Sequence, residues 1–127
     1  MNAAVDINCN AGTADAALAT TLLAATNTGT TTIATVSDTG SSLKDLTLGA
    51  KSSITALTIT GDTSMADAVA IAAKDITADG QVDATDLARL TFSGKITGTV
   101  AEGLTNKDIV NKAAEFVVSD NATVAQA

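Results

Sequence analysis

Between Asp75 and Asp86 the chain sets four carboxylates in twelve positions: Asp75, Asp79, Asp83 and Asp86. Gly80 stands sixth and Val82 eighth, and Leu87 and Leu90 open an apolar helical pattern just beyond. Four like charges at this spacing repel one another, and a divalent cation relieves the repulsion. Oxygen donors at alternating positions around a central glycine suit a hard ion such as Ca²⁺. On that spacing the ligand set is Asp75, Thr77 through its hydroxyl, Asp79, Gln81 through its backbone carbonyl, Asp83 and Asp86. Gly80 permits a turn with positive φ, and Val82 is expected to point into the core and pin the loop. Three of the acids also have ordinary structural uses. Asp79-Gly80 is a turn dipeptide, Asp83 a helix N-cap and Asp86 a first-turn acid, which leaves Asp75 without such a role.

The other acids follow the same logic. Twelve of the fourteen are Asp, and only Glu102 and Glu115 are Glu. A solvated helix face favours Glu, whereas Asp belongs at caps, turns and cation loops. The formal net charge of −7 excludes a nucleic-acid partner, whose phosphates need a basic face, and disfavours an anionic membrane surface. Residues 14–25 are apolar but interrupted by Asp15, Thr20 and Thr21, too short and polar to insert in a bilayer. With no basic residue before Lys44 there is no signal-peptide pattern, so the chain reads as a mature form or an excised domain.

Catalysis is not expected. The sequence has no His for proton transfer, no nucleophile elbow, and no phosphate or dinucleotide loop. Ala and Thr supply 48 of 127 residues, while Phe92 and Phe116 are the sole aromatics. The core must therefore be aliphatic, closely spaced across Ala, with Thr on strands. Cys9 is alone and cannot close an intrachain disulfide; a packed thiol is its expected state. Asn121-Ala122-Thr123 is a glycosylation triplet.

Taken in order, the chain reads as one α+β domain: short helices with a small Thr-rich sheet. Residues 1–61 form a mixed helix and strand part, 62–118 a helical part with the Asp-rich loop, and 119–127 a tail. An N-terminal strand or turn around Asp6–Asn10 leads to a helix over 13–25, capped by Thr13 with Asp15 in its first turn. β-Branched runs predict strands over 30–36 and 54–60, and Leu43, Leu46 and Leu48 a further strand. Ser64 caps a helix over 64–75 with Asp67 three positions on. A helix over 84–93, a strand over 95–100 and a last helix over 106–118 complete the order. The last helix has Thr105 as its cap and Ile109, Ala113, Phe116 and Val117 as its apolar face. A small-polar, then Asp-apolar pattern recurs from Ser42, Ser64, Asp83 and Thr105, as helix caps do and as a short repeat would.

Lys74 to Leu90, continuing to Gly94-Lys95-Ile96, resembles one calcium-loop-plus-helix repeat of the dockerin family. Gly61 to Ala72 is similar to the second half of such a repeat, so the likeness spans roughly residues 61–96. The upstream half has Ala56, Thr58 and Thr60 where loop acids would stand, and no metal is expected there. The resemblance implies an extracellular module that folds around Ca²⁺ and docks onto a cohesin-like protein. Composition points elsewhere first. Acidity, Ala/Thr richness and missing aromatic anchors suit a self-associating structural module of a surface layer, adhesin or fibre, outside the cell or on its surface. Thr-x-Thr pairs at 28/30, 58/60 and 97/99 are too irregularly spaced along the sequence to suggest a flat array.

Overall fold

The computed structural model describes residues 5–10, 12–26, 28–49 and 52–120. Six short helices and seven strands alternate. They are β1 (Ile7–Cys9), α1 (Ala16–Leu23), β2 (Thr31–Thr39), α2 (Gly40–Leu43), β3 (Ser52–Thr60) and β4 (Thr63–Ser64), then α3 (Met65–Ala72), α4 (Ala84–Ala88), β5 (Leu90–Phe92), β6 (Lys95–Gly98), α5 (Val100–Thr105), α6 (Lys107–Val110) and β7 (Glu115–Val118). The α+β class expected from the sequence is what the chain forms. Every strand pairing is parallel. One sheet runs β1-β2-β3-β5 and the other β4-β6-β7, so neighbours follow chain order and the backbone coils, each turn stacking on the last.

Stacking in register lines up like with like. Ala14, Val36, Leu57 and Leu90 form one buried column across four turns. Ile33 stands against Ile54, and Ile59 against Phe92, all buried. In the second sheet Ile96 lies between Thr63 and Phe116. Parallel strands normally bury both faces. Here residues such as Thr32, Ser37, Ser53 and Thr58 occupy half-buried positions between the buried ones. The corner between the sheets is close-packed: a side chain on Gly94 would collide with the backbone carbonyl of Gly61.

Several boundaries differ from the sequence expectation. The first helix starts at Ala16, because Asp15 and not Thr13 caps it, accepting from Leu18 N at 2.8 Å. Residues 43–48 are no strand: Leu43 ends α2, and Leu43 and Leu46 plug the core. The helix expected over 84–93 stops at Ala88, because Leu90–Phe92 pairs with β3. The one expected over 106–118 is cut to α6, and Glu115–Val118 pairs with β6 as a strand. Residues 62–118 therefore hold strands β4 to β7 as well as helices, not a helical part alone. In each case an open sheet edge outcompetes local helix propensity, since pairing satisfies a whole row of backbone groups. The tail is described only as far as Asp120, so the triplet at Asn121 lies outside the described residues. The repeat is real but its register is different. Thr31 faces Ser52 and Leu57 faces Leu90, offsets of 21 and 33 residues, and Lys95 faces Glu115, an offset of 20. Asp83 and Thr105 are not counterparts of Ser64 in the stack; Thr97 is.

Candidate metal centre

The Asp-rich loop leaves the end of α3 and returns through α4 to β5. Ile76, fully buried, anchors it. Its carbonyl accepts from Ile54 N at 2.8 Å, and Arg89 Nη1 donates to Ile54 O at 3.0 Å. β5 pairs with Leu57–Ile59 alone, so the loop supplies both partners for the stretch of β3 upstream of it. It closes an edge that would otherwise be exposed.

Carboxylates hold the loop's shape. Asp86, 1% exposed, is the only buried acid among the described residues. Its Oδ1 accepts from Ile76 N at 2.8 Å and Thr77 N at 3.0 Å, and its Oδ2 from Asp83 N at 2.9 Å. Burial pushes its pKa up. The N–H groups of Asp83, Thr77 and Ile76, with the Thr77 side chain, outweigh that and hold the carboxyl below its ordinary 3.8. Asp83 completes a capping box on α4, accepting from Thr85 N at 2.7 Å and Asp86 N at 3.4 Å. Asp75, which had no structural role in the sequence, has one here. Its Oδ1 accepts from Ala78 N at 2.9 Å and Asp79 N at 3.3 Å, and its Oδ2 from Gly80 N at 2.8 Å. Thr77 Oγ1 donates to the same Oδ1 at 3.3 Å, and Asp79 Oδ1 accepts from Gln81 N at 2.9 Å.

Gly80 takes φ +89°, the positive value expected of it. Ala78 also takes a positive φ, 61°, which no residue pattern foreshadows. A left-handed alanine is strained, and it persists because Asp75 bonds the amides on either side of the turn. Val82 departs from expectation altogether: it is 53% exposed and pins nothing. Ile76 is the anchor instead, from the second position of the loop and not the eighth.

Of the six expected ligands, the fold brings three carboxylates together. Asp75, Asp79 and Asp86 each offer an oxygen within 4.8 Å of the other two. Ca²⁺–oxygen bonds run about 2.3–2.6 Å, so two ligands on opposite sides of one ion sit about 5 Å apart. The trio can therefore hold a metal ion. Asp83 is outside it, its carboxylate turned to the α4 backbone. Beside the loop lies an open cleft of about 480 Å³, lined by Leu46, Thr47, Leu48, Gly49, Lys74, Asp75 and Gly80. Lys74 Nζ donates to Leu46 O at 2.7 Å; burial lowers its pKa from 10.5, and Asp45 partly restores it.

Cys9 is a free, half-buried thiol on β1, opposite Ile33. No helix among the described residues is long and apolar enough to cross a membrane. Compared with protein-family models, curated proteins and solved structures, the chain matches none.

Proposed function

We propose that the chain is a non-catalytic structural module of an extracellular or cell-surface assembly, which self-associates and is stabilised by Ca²⁺ at Asp75, Asp79 and Asp86. One observation carries this reading: the acids of the loop are committed to backbone amides that close the coil stack, and a cation among them would tighten the same closure. Carboxylates bound to N–H donors at the turns of a loop are poorly placed for proton transfer. A dockerin-like docking module with a cohesin-like protein partner is the alternative. It has less support, because Val82 is exposed and Asp83 caps a helix where that family's loop needs a core anchor and a ligand.

Calorimetry with and without Ca²⁺ tests the cation. Extracellular modules bind Ca²⁺ with Kd of about 10⁻⁴–10⁻³ M. Free Ca²⁺ at about ten times Kd adds about 1.4 kcal/mol, a rise in melting temperature on the order of 5 °C for a domain of this size. Asp79→Asn, at an exposed position, should abolish most of the rise. A melting temperature unmoved by millimolar Ca²⁺ contradicts the reading.

A further inference from the structure

The junction between coils is made twice by the same atoms. Ser37 N donates to Ala14 O at 2.8 Å, and Ser119 N donates to Gly98 O at 2.8 Å. Asp38 Oδ2 accepts from Ala16 N, the first residue of α1, at 3.1 Å. Asp120 Oδ1 accepts from Val100 N, the first residue of α5, at 3.0 Å. Both pairs close a Val-Ser-Asp triplet, at residues 36–38 and 118–120. An aspartate on each later coil thus caps the helix of the coil before it.

The two junctions differ in how they are roofed. Val36 is covered by Leu57 of the next coil and is fully buried. Val118, its counterpart, is 41% exposed. Beside it an open cleft of about 330 Å³ is lined by Val100, Gly103, Leu104, Lys107, Val110 and Phe116, with Leu104 51% exposed. The tail end of the stack is thus apolar where every inner coil is roofed by its successor, and a solenoid with an unprotected end associates through it.

The geometry points to a second copy of this chain as the occupant, its first coil continuing the stack on α5 and β7. This rests on the self-associating module proposed above. The first coil offers the matching half. β1 pairs with β2 on one side only, and Ile7 N donates to Thr30 O, so strand alternation turns the backbone groups of Asn8 to the open side. Charge agrees in sign: no basic residue precedes Lys44, while Lys107 lines the apolar cleft and Lys112 lies just beyond it in the chain. Joining different faces head to tail does not close, so copies add indefinitely.

Sedimentation velocity across a protein concentration series tests this, with and without Ca²⁺. Wild type should shift to larger species as concentration rises. Leu104→Glu blocks the tail face and Asn8→Pro the open edge of β1; each alone should sediment as a monomer, with circular dichroism confirming the fold. Mixed in equal amounts, the two variants should form a dimer and nothing larger, since each keeps one working face. Self-association by either variant alone contradicts a head-to-tail contact. A wild type that stays monomeric at every concentration overturns the proposal, as when residues 121–127 of the same chain cover the cleft. If Ca²⁺ raises the melting temperature of such a monomer, the cation site stands and the stacking is wrong. Assembly indifferent to Ca²⁺ leaves the stacking and removes the cation.

Discussion

The turn from β2 to β3 and the turn from β3 to β5 solve the same problem by different means. The first advances the register by 21 residues and the second by 33, twelve more. The short turn closes on apolar contacts, with Leu43 and Leu46 buried beneath it. The long turn uses its extra residues for a loop whose buried groups are Ile76 and Asp86. Its closure is polar, a set of carboxylates accepting from backbone amides. A coil closed by packing should ignore pH and ions. One closed by carboxylates should respond to both, and the chain carries one of each side by side.

The largest effect should come from the polar side. Asp86→Ala leaves the amides of Ile76, Thr77 and Asp83 without their acceptor, two of them in or near the core. It should cost about 4 kcal/mol in urea denaturation. Leu43→Ala, on the apolar side, leaves a cavity and should cost about 3 kcal/mol. If the leucine proved much the costlier, packing and not the acid network would be the main closure of the stack. Asp75→Ala removes the acceptor that holds the half-exposed turn and should cost about 2 kcal/mol. The same variant must also lose any response to Ca²⁺.

Acid separates the two turns further. The folded pKa of Asp86 is depressed, so its contribution is complete above the ordinary 3.8 and fades as pH falls from there through the folded value. Asp38 behaves alike, its carboxyl lowered by the amides of Thr39 and Ala16 against a smaller opposing effect of burial. Unfolding free energy should therefore drop below pH 3.8 in wild type, more steeply than in Asp86→Asn, which keeps only the Asp38 share. Parallel curves for the two proteins would contradict the assignment. The smallest effect tests the junction of the sheets. Thr63 Oγ1 is buried with no hydrogen-bond partner. Thr63→Val should be neutral or stabilise by up to about 1 kcal/mol, and a clear loss would show that the hydroxyl has a partner.

Much of this was legible in the sequence where local chemistry decides. Ser64 caps α3 by accepting from Asp67 N, as its spacing implied. β-Branched runs at 30–36 and 54–60 became β2 and β3. Illegible were the features set by neighbours in the stack. Thr91-Phe92 and Phe116-Val117 sit in helix-compatible patterns and become strands because β3 and β6 offer open edges. The coil register was hidden because the offsets are unequal. A signal was nevertheless present: Val-Ser-Asp recurs at 36–38 and 118–120, and it marks the inter-coil cap. The loop shows the limit most sharply. Counting positions named Asp75, Asp79 and Asp86 as a cluster, but placed Val82 in the core, because a linear count has no knowledge of the β3 edge that draws in Ile76 instead.

Amide hydrogen exchange at Ile54 and Ile76 tests the central claim that the Asp-rich loop is the polar closure of β3. Ile54 N donates to the loop carbonyl of Ile76, and Ile76 N to Asp86. Both amides should exchange as slowly as that of Leu57, which is bonded to Arg89 O in the β5 region, and both should speed up together in Asp86→Asn. Fast exchange at Ile54 in wild type, as at an unpaired edge, would contradict the account.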